Sequence, residues 1–555
     1  MSCGSCPRRF TSSLLPTPAR LAELDSALRA NILPPELSSV QATIVATPAE
    51  LNRYNLEMKR VTNELQRLKS ERRALLSQFE KCRSVFAPIR RLPGELLTEI
   101  FAMCRPEELY ELSKTVTPEE EVDRISHSHL RQLAQVCSRW NEIVSDSPKL
   151  WSHISFNTSV WSDCCASDDT LIDLLEYALE RGRNTPLFIE ACVVWTNTSS
   201  NYAFELLGEH SHRWHTVCFY SDPRSSAHLI DVEENLNNLQ SLHLESNGSW
   251  NSVSTFHVAP RLTEFSFVGD SPHDIPHLPW SQIRKLTYIG KNAANPSECL
   301  SLLLRATNVD TALFSLDLRQ TFSYVPWSSI SSDVKSITLG LAASDSVIGR
   351  VFDCFSLPAL ESFALVPAVP RTNLEYSPPV WPIDQFLALA RRSSFDSHLT
   401  RFQLRADVKN VDLLTCLAVL PRLEELVISD YGSLGMEAVI SDVFLRGLST
   451  SSHSSSAGAF DILPALRFLS LTSSLEFTDA VYVELVLSRA AAMRANNLKN
   501  LSKSGRPLVV HLYTLPERER ELSTQMLNEA FASAIAEGYV LFEAGLAPVS
   551  YKTKD

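Results

Sequence analysis

The residues with the most reactive side chains in this sequence are cysteines and histidines, which occur in short clusters. Cys3 and Cys6 have the Cys-x-x-Cys spacing of half a zinc site, but no second pair of Cys or His residues follows at the spacing of a zinc finger. His210, His212 and His215 also lie close together, but no carboxylate or cysteine pattern completes a set of metal ligands around them. We therefore predict no metal site, and we interpret the three histidines as surface residues that precede a strand.

Sequence motifs for nucleophilic or phosphate chemistry are missing as well. The chain has no Gly-x-Gly-x-x-Gly, Gly-x-x-x-x-Gly-Lys or Gly-x-Ser-x-Gly string, and the adjacent Cys164 and Cys165 have no catalytic context. We predict that the protein is not an enzyme and uses no cofactor. An enzyme whose catalytic residues are distant in the sequence is the alternative, and it would need a cleft that contains ionisable groups with strongly shifted pKa values.

Composition and charge favour a folded protein that binds other proteins. The chain has 555 residues, of which 44% are hydrophobic and 21% charged, so we expect two or three globular units. A net charge of -13 argues against general binding to nucleic acid or to an anionic membrane. Twelve irregularly spaced cysteines, and the lack of a signal peptide or of about 18 consecutive apolar residues, favour a location in the cytoplasm, the nucleus or both.

Residues 47–84 are predicted to form one long coiled-coil helix after a flexible arm, residues 1–46, that contains a short helix at residues 17–29. Thr47, Pro48 and Glu50 have the arrangement of a helix start with a capping box. Residues 51–91 carry eleven basic and four acidic residues, but we favour a solvated coiled-coil face over a nucleic-acid helix because aromatic residues do not alternate with the charges. Self-association through residues 51–79 is expected from an apolar seam that Arg72 interrupts once: Leu51, Tyr54, Met58, Val61, Leu65, Leu68, Leu75 and Phe79.

Two further helical blocks flank an acidic insertion at residues 105–128. The first block begins at Pro93, which suits the first turn of a helix because its missing N–H would have no partner there. The second block covers residues 128–145 and ends before Pro148. A helical unit of this size is too small to bury all of its apolar side chains, so we expect some of them to contact a partner.

From about residue 156 to residue 515 the sequence repeats a short apolar pattern. Residues 357–365, 420–428 and 463–471 read LPALESFAL, LPRLEELVI and LPALRFLSL. Strands with helices between them, such as residues 168–181, 383–392, 436–447 and 478–496, predict an irregular solenoid, and residues 516–555 are predicted to be a capping helix and a tail. The pattern apolar-x-x-apolar-x-apolar starts at Trp214, Leu239, Leu262, Ile283, Leu313, Val334, Leu360, Leu399, Leu423 and Leu466.

Residues 89–101 (IRRLPGELLTEIF), 133–144 (LAQVCSRWNEIV) and 147–151 (SPKLW) together resemble the F-box motif. The resemblance implies a three-helix domain at residues 85–155 that binds a Skp-type adaptor of a cullin-RING ubiquitin ligase. It implies adaptor contacts at Pro93, Leu96, Leu97, Ile100 and Val136. It further implies a domain core formed by Leu92, Phe101, Leu133, Cys137, Trp140, Leu150 and Trp151.

The whole layout, a coiled coil, an interrupted F-box and irregular leucine-rich repeats, is similar to the expanded F-box families of mushroom-forming fungi. The insertion at residues 105–128 departs from the short connection usual in the family. The fold class expected is thus α plus α/β, with a coiled-coil helix and a three-helix F-box before a leucine-rich-repeat solenoid. The function expected is that of a substrate receptor for a target protein, and the alternative is a repeat scaffold that dimerises through its coiled coil outside a ubiquitin ligase.

Overall fold

The protein is described by a computed structural model that covers 14–34, 36–105, 127–158, 168–193, 198–221, 232, 235–245, 248–251, 253–290, 296–318, 329–342, 345–368, 379–430, 438–449, 462–499, 507–515 and 524–546. Cys3, Cys6, Cys164, Cys165 and residues 106–126 of the predicted insertion lie outside these ranges. The chain divides into two compact units, Met1–Leu97 and Thr98–Asp555, which we describe separately.

The first unit consists mainly of two helices, α1 (Pro18–Ala30) and α2 (Leu37–Val85). Helix α2 begins ten residues before the predicted start at Thr47, so that prediction is wrong, and Pro48 lies inside the helix. The Thr47 hydroxyl does not cap a helix end but donates to the carbonyl of Thr43 one turn earlier, at 2.6 Å. The predicted arm of residues 1–46 therefore contains α1 and the first turns of α2.

Short helices follow around the boundary of the two units. A 3-10 turn (Pro88–Arg91) precedes α3 (Gly94–Met103), and α4 (Ser128–Ala134), α5 (Ser138–Asp146) and a second 3-10 turn (Pro148–Trp151) follow. The block predicted as one helix over residues 128–145 is two helices, because Cys137 has extended backbone angles (φ -166°, ψ 166°) and precedes the first turn of α5.

In the described ranges of the second unit, fourteen strands form one parallel sheet, and their order in the sheet is their order in the chain. Two further short strands, β8 and β10, pair with each other. The strands are β1 (His153–Asn157), β2 (Leu187–Val193), β3 (Trp214–Ser221), β4 (Ser241–Glu245), β5 (Glu264–Gly269), β6 (Lys285–Gly290), β7 (Thr311–Asp317), β8 (Ile330–Ser331), β9 (Ser336–Ala342), β10 (Phe355–Ser356), β11 (Ser362–Val366), β12 (Arg401–Leu404), β13 (Glu425–Ser429), β14 (Phe468–Ser473), β15 (Leu508–Thr514) and β16 (Val540–Leu546).

Helices connect many of these strands, and the alternation of parallel strands and helices confirms the predicted solenoid fold class. Between β4 and β6 the described connections contain only 3-10 turns, at Pro272–Asp274 and Trp280–Gln282. None of the described helices is both long and apolar enough to cross a membrane. The helices are α6 (Asp168–Arg181), α7 (Thr198–Glu209), α8 (Pro296–Leu300), α9 (Leu302–Arg305), α10 (Asp345–Cys354), α11 (Ile383–Arg392), α12 (Phe395–His398), α13 (Asn410–Ala418), α14 (Asp442–Leu448), α15 (Asp479–Lys499) and α16 (Thr524–Ala536).

The pairing register explains the repeated apolar pattern and corrects one of its predicted frames. In β4, β5 and β6 the second apolar residue of each pattern pairs with its counterpart, as Leu242 does with Phe265 and Phe265 with Leu286. In β7 the partner of Leu286 is Ala312, so this repeat starts at Val309 and the predicted start at Leu313 is wrong. Both frames match the apolar pattern, and only the pairing with β6 distinguishes them.

The sheet also continues further than the sequence predicts. Strand β16 follows α16 and pairs with β15 over seven residues, from Leu508 with Val540 to Thr514 with Leu546. The residues after the capping helix are therefore not only a tail. The strand was missed because Val540 alone is buried in it, while Glu543 and Gly545 interrupt its apolar pattern.

Buried arginines tie successive repeats together. Arg213 donates to the carbonyls of Leu179 and Thr185 at 3.3 and 3.1 Å, near the end of α6. Arg489, on α15, is 5% exposed and donates to the carbonyl of Leu448, the last residue of α14, at 2.7 Å. It also donates to Leu463 at 2.6 Å and to Ile462. Such a guanidinium satisfies carbonyls that a helix end or a turn leaves without a backbone donor.

Replacement of Arg489 by methionine should therefore destabilise the protein, because three carbonyls lose a charged donor at once. We expect Arg489→Met to lower the free energy of unfolding by about 2–4 kcal/mol, measured by urea denaturation. Arg446→Met, at an exposed position on the adjacent helix, serves as the control and should change it by less than about 0.5 kcal/mol. Equal effects of the two substitutions would contradict this role of Arg489.

Candidate functional site

Helix α3 carries apolar side chains on two neighbouring sides, and only one of these sides is buried. Leu97 and Phe101 are 0% and 1% exposed. On the other side Leu96, Ile100 and Met103 are 51%, 38% and 82% exposed. Because residues four and seven positions apart lie on one helix face, these three residues form a continuous apolar stripe. We call Leu96, Ile100 and Met103 the outer stripe of α3.

The buried side of α3 is held by α5 and by the 3-10 turn that follows α5. The ring of Phe101 packs on that of Trp140, with centroids 4.8 Å apart. The hydroxyls of Thr98 and Ser147 are hydrogen-bonded at 3.2 Å, and the Lys149 ammonium binds the exposed Glu99 carboxylate at 2.6 Å. These contacts fix which side of the helix remains outside.

Trp151 joins this group of helices to the solenoid. Its indole N–H donates to the carbonyl of Val144 in α5 at 2.8 Å. Its ring lies edge-on to Tyr177 of α6 at 5.4 Å, and the Arg181 guanidinium covers both rings, at 5.9 and 5.1 Å. Trp151 also stands three residues before the buried Ile154 of β1 and therefore has the first position of a repeat. This repeat precedes the first predicted one, which starts at Trp214.

The residues expected to contact an adaptor differ in their accessibility. Pro93, Leu96, Ile100 and Val136 are exposed, and Val136, in the turn between α4 and α5, is 59% exposed. Leu97 is fully buried, so its assignment as a direct contact is wrong for this structure: it supports the helix from the inside. Met103 was not among the predicted contacts, although its position seven residues after Leu96 places it on the same exposed stripe.

The residues expected to form the domain core fall into two groups. Three of them are almost fully buried, namely Phe101, Leu150 and Trp151. The other four are half-buried and lie nearer the surface of the helical group: Leu92, Leu133, Cys137 and Trp140.

A family model named F-box-like matches residues 89–157, which include α3, α4, α5 and β1. The chain contains an F-box-like domain. No curated protein matches the sequence significantly. Among solved structures, a crystal structure of a protein from Bacteroides fragilis is similar over 58% of this chain and 69% of that one, with 13% sequence identity and a TM-score of 0.27.

Two histidines lie where the F-box-like domain meets the first strands of the sheet. Burial, together with the charges of His127 and Arg105, lowers the pKa of His129 to about 4. Burial, and to a smaller extent the charges of Arg105 and His127, lowers the pKa of His153 to about 3. The His153 ring stacks on Phe188 at 4.3 Å with the planes nearly parallel. Both imidazoles are therefore neutral at pH 7 and act as packing groups.

In the ranges that the structure describes, no three His, Cys, Asp or Glu side chains are grouped so that they would hold a metal ion. The rings of His210 and His212 are 6.3 Å apart, on a turn before β3.

The hydrogen bond between Trp151 and Val144 can be tested without removing the aromatic ring. Trp151→Phe deletes the donor and should lower the free energy of unfolding by about 1–3 kcal/mol, since the buried carbonyl loses its partner. Trp280→Phe is the matched control, because the indole nitrogen of Trp280 has no hydrogen-bond partner within the described part of the chain. Urea denaturation followed by fluorescence measures both, and a larger loss in the control would contradict the assignment.

The lowered pKa values predict a destabilisation in mild acid. In the unfolded chain a histidine has a pKa near 6.5 and binds a proton below that value, whereas folded His153 does not until about pH 3. Stability should therefore fall as the pH drops from 7 to 5, by up to about 2 kcal/mol for each such histidine. His153→Phe keeps the stacking on Phe188 and should flatten the pH dependence of the unfolding midpoint. An unchanged slope in this variant would refute the assignment.

Proposed function

We propose that this protein is a substrate-receptor subunit of a cullin-RING ubiquitin ligase of the SCF type. In this role the F-box-like domain binds a Skp-type adaptor and the repeats bind a target protein, which another subunit then modifies. F-box-like domains take part in protein–protein interactions, and adaptor binding is their typical role. The proposal includes a location in the cytoplasm or the nucleus, where such ligases act.

The exposed outer stripe of α3 is the main support for the proposed adaptor binding. Full burial of a large apolar side chain contributes about 1.5–3 kcal/mol, and the stripe residues and Val136 are 38–82% exposed. Covering these four side chains would thus contribute about 3–6 kcal/mol before the cost of association is subtracted. A stripe left open while the other apolar side of the same helix is fully packed suits a partner better than chance exposure does.

The face of the sheet that points away from the core is the surface that we propose for binding the target protein. One residue of each strand, flanked in most strands by two buried apolar residues, points away from the core because side chains alternate along a strand. The pairing register aligns these residues in one row of mixed, mostly polar character: Ser155, Glu190, Cys218, His243, Ser266, Thr287, Leu313, Thr338, Ala364, Gln403, Val427, Ser470, His511 and Glu543.

No chemistry by this chain is part of the proposal, and the matching family is not a catalytic one. A repeat scaffold that acts outside a ligase is the alternative. It would use the same sheet surface but would leave the outer stripe of α3 without an adaptor, so adaptor binding separates the two functions.

Substitution of the outer stripe tests the adaptor interaction. Co-expressed with a Skp-type adaptor, the unmodified protein should co-purify with it, and Leu96→Asp combined with Ile100→Asp should reduce the bound adaptor at least tenfold while the thermal unfolding midpoint stays within a few degrees. Both residues are accessible, so the charges should not disrupt the folded chain.

The matched control places the same charges on exposed apolar residues of the solenoid helices. Val411 on α13 and Val443 on α14 are 68% and 59% exposed, and Val411→Asp with Val443→Asp should leave adaptor binding unchanged. Failure of the unmodified protein to bind any Skp-type adaptor would reject the ligase function in favour of the scaffold. Equal loss in the control would show that the effect is not specific to α3.

A further inference from the structure

Helix α2 is 49 residues long and has no buried residue. Its apolar side chains follow a heptad repeat, and we call the residues at positions a and d the seam of α2. Its large aliphatic members and Phe79 are 49–67% exposed. The seam residues are Leu51, Met58, Leu65, Arg72 and Phe79 at position a, and Tyr54, Val61, Leu68, Leu75 and Cys82 at position d.

We propose that α2 pairs through this seam with α2 of a second copy of the chain, as a parallel, in-register, two-stranded coiled coil. A narrow a/d stripe with polar flanks is the pattern that a two-stranded coiled coil buries, whereas a helix packed in a globular core needs a wider apolar face. The pairing involves α2 only and does not depend on adaptor binding.

The seam pattern continues towards the N-terminus, but there a different contact already exists. Leu37, Val40, Ile44 and Thr47 keep the spacing of three and four residues. At this end the guanidinium of Arg20 in α1 donates to the hydroxyl of Ser39 in α2. The coiled coil that we propose therefore begins at Leu51, and its last layer is Cys82.

The charges beside the seam favour the parallel orientation. The g positions of four successive heptads are all glutamate: Glu50, Glu57, Glu64 and Glu71. In an antiparallel pair, g positions face g positions, so these glutamates would repel one another. In a parallel pair each g residue faces the e residue that follows five positions later in the other copy, and these are Asn55, Thr62, Lys69 and Leu76.

None of these four g–e pairs of the parallel arrangement is repulsive, and one of them is attractive. Glu64 of each copy faces Lys69 of the other, twice per dimer because of the symmetry. The glutamates are also held by arginines of their own helix, Glu57 by Arg60 at 2.7 Å and Glu64 by Arg67 at 2.6 Å. These ion pairs keep the glutamates beside the seam.

Arg72, at position a of the seam, would fix the register of the coiled coil and limit it to two helices. A charged residue at one a position lowers stability but selects a particular register and number of strands. Displacement by one heptad would place each Arg72 against the apolar layer of Leu65 or Phe79, which buries a charge without a partner. In register, the two Arg72 side chains share one layer and reach solvent at its edges. A third helix would close that layer off from water.

The first experiment measures the mass of the full-length protein by analytical ultracentrifugation. We expect a dimer at micromolar concentration. Leu65→Asp, at a seam position, should weaken dimerisation at least 100-fold. The matched control is Leu56→Asp on the same helix: Leu56 is 64% exposed but occupies position f, opposite the seam, so this variant should remain dimeric.

Two control measurements show whether a variant has lost only its ability to dimerise. Circular dichroism and adaptor binding should be retained in both variants, which separates loss of dimerisation from misfolding and from failure of the ligase function. A monomeric unmodified protein would overturn the proposal, and so would a trimer or an equal effect of the two substitutions. Arg72→Leu, which removes the charge from the seam, should tighten dimerisation about tenfold or more.

The second experiment determines the orientation with a thiol already present in the chain. Cys82 is an exposed free thiol at a d position. Only a parallel, in-register pair brings the Cys82 side chains of two copies into one layer. A short bis-maleimide should therefore cross-link the unmodified dimer, and Cys82→Ser should abolish the cross-link without changing the dimer. A dimer whose cross-linking does not depend on Cys82 would overturn the parallel arrangement.

Discussion

The pairing register of the parallel sheet is the constraint on which most of the structure depends. Side chains alternate along a strand, so a slip by one residue would turn every buried side chain outwards. Leu242, Phe265 and Leu286 are aligned and at most 2% exposed, and the same alignment continues through fourteen strands. The register decides which side chains of each strand face the helices and which row of residues lies on the other face of the sheet. On the helix side, Arg213 and Arg489 donate to carbonyls at or near helix ends.

Contacts with this sheet fix part of the geometry of the F-box-like domain. Strand β1 begins two residues after Trp151, so the ladder that fixes β1 also fixes this indole against α6. Trp151 in turn binds the carbonyl of Val144, and α5 presents Trp140 to Phe101 of α3. This chain of contacts determines which stripe of α3 is buried. The proposed adaptor surface is therefore positioned by contacts that lead back to the first repeat.

Elements that follow from one local periodic pattern can be predicted from the sequence. Where two patterns fit the same residues, the sequence does not decide between them. Residues 168–181 and 383–392 were predicted as helices with the observed bounds, because one amphipathic segment determines each of them. The start at Thr47 was wrong because a strong capping signal lay inside a longer heptad pattern, which tolerated Pro48. Leu96 and Leu97 are adjacent and chemically identical, so the contacts of α3 with α5 and the following turn, such as Phe101 with Trp140, decide which of them is exposed. The frame at Leu313 failed for a similar reason: two frames fit, and the choice lies in the neighbouring strand.

The seam of α2 and the outer stripe of α3 are both exposed apolar surfaces, and the two proposals give them different roles in binding. The row of residues on the face of the sheet away from the helices is mixed and mostly polar, and single polar contacts contribute little affinity each. A pair of chains joined through α2 would present this face twice, so the second contact with a multivalent target would be intramolecular and favoured by a high effective concentration. The outer stripe of α3 differs from this row, because its apolar side chains would each contribute more to a one-to-one contact than an exposed polar side chain does. The proposed dimerisation through α2 and the proposed adaptor binding through α3 are thus compatible: the first would increase the affinity for a target, and the second would recruit the ligase.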